Sequence, residues 1–142
     1  MFAGDLVENG VAPYMGDGHC KDWPKVLKAL GDRHAEALLP GRGDPLIGDE
    51  AIAEAVVATQ DFVVELYGAV LPCAEADASL KQAYDHAMAV LRSRFGKLLL
   101  FEHRLPFNVA RAYDEAKGLD HPRLWTPERD QEVWTALTAD AS

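Results

Sequence analysis

The chain predicts an α/β layer over residues 1–48, followed by a mainly α-helical extension over residues 49–142. Three observations lead there. Glycine and proline punctuate the front, where two short apolar runs flank one amphipathic segment. The back instead carries apolar residues at spacings of three and four, the period of a helix. The strand, helix, strand order of the front suits a layered sheet, in which loops at the carboxyl ends of strands commonly form sites.

Taken in order, Met1 to Val7 is a predicted strand that ends at the Glu8-Asn9-Gly10 turn, because Asn-Gly favours positive φ. The loop from Val11 to Lys21 is rich in glycine and carries Tyr14, Met15, Asp17 and His19. Asp22 is placed to cap a helix through Leu30, with Pro24 in its first turn and Gly31 as the stop. Its inner face holds Val26, Leu27 and Leu30. A second strand at Ala37 to Leu39 then runs into Pro40-Gly41-Arg42-Gly43-Asp44.

From Asp49 a long helix is predicted, since Ile52, Ala55, Val56, Thr59, Phe62, Val63, Leu66, Tyr67 and Val70 share one face. Pro72 ends it. The next helix follows the Ser79 cap, turns Leu80, Ala83, Tyr84, Ala87, Met88 and Leu91 inward, and stops near Gly96. Leu98 to Phe101 fits a strand or a buried linker equally well. A further helix spans Pro106 to Lys117, with Val109, Ala112, Tyr113 and Ala116 on one face and Gly118 beyond it. The last begins at Thr126 as N-cap, with Pro127 at the first helical position and Glu128 against the positive end of the dipole. Val133, Trp134 and Leu137 face inward from it, and Ser142 lies in a tail.

At 142 residues and 49% hydrophobic composition, the chain is long enough for one domain with a real core. A formal charge of -9 repels phosphate backbones and anionic membrane surfaces, which argues against nucleic acid and membrane partners. No unbroken apolar run approaches the roughly 20 residues of a bilayer span, and no basic segment precedes an apolar one at the N-terminus. A soluble, cytoplasmic protein is expected. Cys20 and Cys73 lack CxxC spacing, so both are expected as buried or partly buried thiols.

The candidate site residues are few. Asp5 stands at a strand end behind Gly4, where a carboxylate could bridge metal ions. Arg42 projects from a tight turn between two glycines, and its permanently protonated guanidinium suits an anion contact or a salt bridge with Asp44 or Asp5. His19, like Arg42, is a candidate for an anion or substrate contact, and because it lies between Asp17 and Asp22 a mononuclear metal site of Asp5, Asp17 and His19 is a minor alternative. The other histidines, His34, His86, His103 and His121, form no HxH or HxxxH pair. Ser79 and Ser93 read as a helix cap and a helix end, and no GxSxG, P-loop or GxGxxG occurs. Phe101 to Asn108 reads mainly as a structural junction or contact surface, and otherwise as a substrate pocket.

Together the runs FAGDLVENG and LLPGRGDP, joined by DWPKVLKAL, resemble the metallo-β-lactamase-like hydrolase superfamily. The ERD and Trp134 segment is similar to the C-terminal extensions of some members. The resemblance implies that residues 1–48 form part of an αββα sandwich, with the helical extension packed on it. By it Asp5 matches the metal-bridging aspartate of the GD motif, and Arg42 stands where the PGHG motif has its terminal histidine. The family implies zinc. A cation at Arg42 removes a ligand and repels a metal, and the family's HxHxDH motif would lie on strands before residue 1.

A truncated or split metallo-hydrolase, inactive alone, is therefore the leading expectation, with Met1 as an internal start. Metal-dependent hydrolysis of a small-molecule ester, thioester, lactone or amide is implied for full-length members. The alternative is a non-catalytic helical interaction module, forming a homo-oligomer or pairing with a separate N-terminal half, because an unpartnered strand leaves faces and edges that need cover.

Overall fold

The computed structural model describes residues 1–139, so Ser142 lies outside the described residues. The chain order is β1 (Phe2–Gly4), α1 (Trp23–Gly31), β2 (Ala37–Pro40), β3 (Leu46–Ile47), α2 (Asp49–Glu75), α3 (Leu80–Phe95), α4 (Phe101–Ala116) and α5 (Pro127–Thr138). The αββα sandwich expected over residues 1–48 is not formed. Among the described residues the molecule is mainly helical, with one small mixed sheet in the order β1-β2-β3. The seven-residue strand expected at Met1 to Val7 stops at Gly4 for a local reason. The amides of Leu6 and Val7 donate back to the carbonyls of Ala3 and Gly4, turning the backbone away from the sheet.

β1 and β2 run parallel, with Phe2 beside Leu39 and Gly4 beside Pro40, so the loops that follow them leave the same edge. β3, absent from the sequence reading, pairs antiparallel with β2 through Ala37–Ile47 and Leu38–Leu46. This register sorts the side chains by face. Leu38 and Leu46 point inward and are buried, and α2 packs against β2 and β3. Phe2, Leu39 and Ile47 remain 87%, 39% and 71% exposed on the strands.

The helices follow their predicted periods closely. On α2 the face from Ile52 to Val70 is buried as expected, apart from the partly buried Tyr67. Pro72 does not end this helix, which continues to Glu75. By length and composition α2 is apolar enough to cross a membrane, but its buried face packs into the core with α1, α3 and α4 around it. Ser79 accepts from the Gln82 amide while the Gln82 side chain accepts from the Ser79 amide, a reciprocal cap that fixes the start of α3. Thr126 caps α5 at the Arg129 amide.

Four further expectations fail at the helices. Asp22 precedes α1 without capping it; its carboxylate pairs with Lys25 instead. Val26 is exposed, and Trp23 and Leu27 are buried in its stead. α4 begins at Phe101, five residues before Pro106, because Phe101 and Leu105 are both core residues that hold the first turns together. Trp134 on α5 is largely exposed, and only Val133 of the predicted face is buried. One apolar cluster joins front and back, running from Val7, Met15, Leu27 and Leu38 to Phe62, Leu66, Leu91 and Leu105.

Candidate functional site

The two loops leaving β1 and β2 interlock. The Gly41 amide donates to the Val7 carbonyl, the Asn9 amide donates to the Arg42 carbonyl at 3.1 Å, and the Asn9 side chain donates to the Asp44 carbonyl. Two glycines make this contact possible. A Cβ on Gly41 would overlap the Asp5 carboxylate and stand 2.8 Å from the Asp5 amide. Gly43 has φ +92°, a conformation that costs glycine little, and lies against the Asn9 backbone. Asp5 and Arg42 therefore share one rim, and Arg42 Nη1 donates to Asp5 Oδ1 at 3.1 Å.

Beneath that rim lies a second carboxylate that sequence reasoning assigned to a turn. The Glu8 side chain is fully buried, and its Oε1 accepts from Arg42 Nη1 at 2.9 Å and from Arg104 Nη1 at 3.1 Å. Arg104, on α4, also donates to the Ala12 carbonyl. Glu8 Oε2 has no hydrogen-bond partner among the described residues. Paired guanidiniums on one carboxylate oxygen compensate the cost of burying that charge.

Arg104 is the first rung of a polar ladder along α4. Asn108 accepts from the Met15 amide at 2.7 Å and donates to the Pro13 carbonyl. Arg111 donates to the carbonyls of Gly18, Leu119 and Asp120, and Glu115 accepts from the amides of Cys20 and Lys21. All four side chains are buried, and together they satisfy the backbone of the loop between β1 and α1. The signal was present in the sequence, since residues 104, 108, 111 and 115 recur at helical spacing on the face beside the apolar one. The Phe101 to Asn108 segment is thus helical and does serve as a junction between α4 and the glycine-rich loop.

Asp5, Asp17 and His19 do line one cavity of about 400 Å³, with Leu6, Tyr14 and Trp23 among its walls. They do not form a metal cage. Among the described residues, no three His, Cys, Asp or Glu side chains stand close enough together to hold a metal ion. Asp5 faces Arg42, whose donors exclude a cation from the position of the expected histidine ligand. The described residues around Asp5 therefore do not fit zinc. His34 turns at positive φ beside Asp49, His86 lies on α3, and His19 meets His121 edge-on at 6.1 Å.

No family model matches the sequence, and no curated protein is similar to it.

Burial pushes the Tyr14 hydroxyl above its ordinary value, reinforced by Asp17 and opposed by Arg104, so it stays a neutral donor near pH 7. The Cys20 thiol is pushed up to about 12, first by burial and then by the Glu115 carboxylate, against the pull of Arg111. Such a thiol is no nucleophile. What the rim can do is recognise charge and shape, through the guanidiniums of Arg42 and Arg104, the Tyr14 phenol and the His103 imidazole.

Proposed function

We propose that the protein is a non-catalytic docking module whose outer sheet face receives a strand-bearing partner. The observation that supports this best is the bare apolar face of Phe2, Leu39 and Ile47. Phe2 lies beside Leu39, and Ile47 beside Ala37, so these residues form one patch and not scattered exposures. β1 also ends the sheet on its side, which leaves a free edge for a further strand. A partner strand added there would gain backbone hydrogen bonds from the edge and specificity from the side chains of the face.

The occupant that suits this surface is a separate partner chain with an exposed strand, which would extend the sheet at β1 beside the Asp5 and Arg42 rim. This chain alone is expected to hydrolyse nothing, because the described residues form neither a metal cage nor an activated nucleophile. The second reading, favoured by the same face, is that a second copy of this chain covers it in a homodimer.

Light scattering with zinc analysis after dialysis tests both. Alone, the wild-type chain should self-associate in a concentration-dependent way, and a variant carrying Phe2→Lys and Ile47→Lys should be monomeric with an unchanged unfolding midpoint. A closed dimer of constant mass points to the second copy. A monomeric, cooperatively folded wild type overturns both readings, and one bound zinc per chain overturns the non-catalytic assignment.

A further inference from the structure

A cavity of about 330 Å³ opens between the rim and α4, lined by Tyr14, Arg42, Leu100, His103, Arg104 and Phe107. Its walls divide by chemistry. Two guanidiniums, an imidazole and a phenol supply donors, while Leu100 and Phe107 supply an apolar surface. Phe107 is held in place by neighbouring rings, with Tyr14 and His103 each at 5.9 Å and Trp125 at 4.5 Å.

Both arginines spend only Nη1 on the protein. Arg42 Nη1 serves Asp5 and Glu8, and Arg104 Nη1 serves Glu8 and the Ala12 carbonyl. Among the described residues, Nε and Nη2 of each donate no hydrogen bond to the protein; Arg42 is exposed, and neither of these nitrogens of Arg104 is a buried orphan. Both side chains line the cavity. The Arg104 side chain is only 6% exposed, so its unused donors are fixed in place and not waving in solvent.

The charges around these donors leave room for an anion. One buried carboxylate, Glu8, is shared between two guanidiniums; Asp5, on Arg42, is 59% exposed, where water screens it, and Asp17 acts on Tyr14. A guanidinium fork with its outer nitrogens free matches the two oxygens of a carboxylate. The volume lies at the small end of ligand pockets, enough for a compact ligand.

We propose that the pocket between Arg42 and Arg104 binds a small carboxylate, whose charged end meets the guanidiniums and whose apolar body lies against Phe107 and Leu100. This rests on the cavity alone and not on the docking reading, so either can fail without the other.

Titration of the full chain with benzoate, followed by calorimetry and amide chemical shifts, tests the site. Saturable binding is expected, with a Kd of about 1 mM or tighter. His103 is exposed on α4, so His103→Glu should leave the fold intact, place a competing carboxylate opposite the arginines, and weaken benzoate at least about tenfold. Arg42→Lys, which keeps the charge and loses the fork, should weaken it as well. The melting temperature of each variant reports folding separately. No saturation by benzoate in the wild type, or equal affinity in both folded variants, overturns the proposal. Tighter binding of inorganic phosphate than of benzoate overturns the carboxylate assignment.

Discussion

Glu8 shows how one residue can matter more than the motif that contains it. In sequence it belongs to a Glu-Asn-Gly turn, but Val7 and Val11 on either side are buried and so is its side chain. Replacing it by alanine removes the shared acceptor of Arg42 and Arg104, leaving one nearly buried guanidinium without a counterion. Glu8→Ala should therefore destabilise the chain by about 3–5 kcal/mol, measured by urea unfolding at neutral pH. A loss below about 1 kcal/mol would instead be the behaviour of a solvent-exposed pair. Cys20 makes the opposite case, a reactive residue type rendered inert. With its pKa pushed up to about 12 and its side chain buried, it should resist alkylation at pH 8 in the native state, while the partly buried Cys73 is modified first. Mass spectrometry after a short iodoacetamide pulse reads both sites, and equal labelling would contradict the burial assigned to Cys20.

The elements divide by how local their causes are. α4 holds the glycine-rich loop through side-chain hydrogen bonds, and Asn108 is the rung that satisfies both a donor and an acceptor of that loop. Asn108→Ala should cost about 1–3 kcal/mol for each group left unpaired, and hydrogen exchange at the Met15 amide should accelerate more than exchange within α2. Uniform acceleration would mean that the loop and the helices open together. The long helices could be read from sequence because period and caps act within a few residues, as Ser79 with Gln82 and Thr126 with Arg129 show. The start of α4 could not, since Pro106 imitates a helix beginning and only the burial of Phe101 and Leu105 reveals the earlier turn. The strands were least legible. β3 is two residues long, and β1 is cut short by backbone bonds that no side-chain pattern announces. At the site, Asp5 and Arg42 were visible as candidates from their loops, and the structure does bring them together; Glu8 and Arg104 were not, because ninety-six positions separate them and only the fold makes them neighbours.

At the scale of the whole molecule, two properties oppose each other. The chain carries a formal charge of -9, which drives copies apart, while the outer sheet face presents Phe2, Leu39 and Ile47 to solvent. Which one dominates depends on salt in a direction that reveals the contact. Raising ionic strength from about 10 mM to about 150 mM shortens the screening length from about 30 Å to about 8 Å, which weakens repulsion between acidic copies and leaves apolar burial almost untouched. Association through the sheet face should therefore strengthen with salt, whereas association through ion pairs should weaken. Sedimentation velocity at the two salt concentrations measures the shift. The Phe2→Lys and Ile47→Lys variant should show none, even though its added positive charges reduce the repulsion between copies. If that variant associates as strongly as the wild type, the cause is its lower net charge acting at some other surface, and the sheet face is not the docking site.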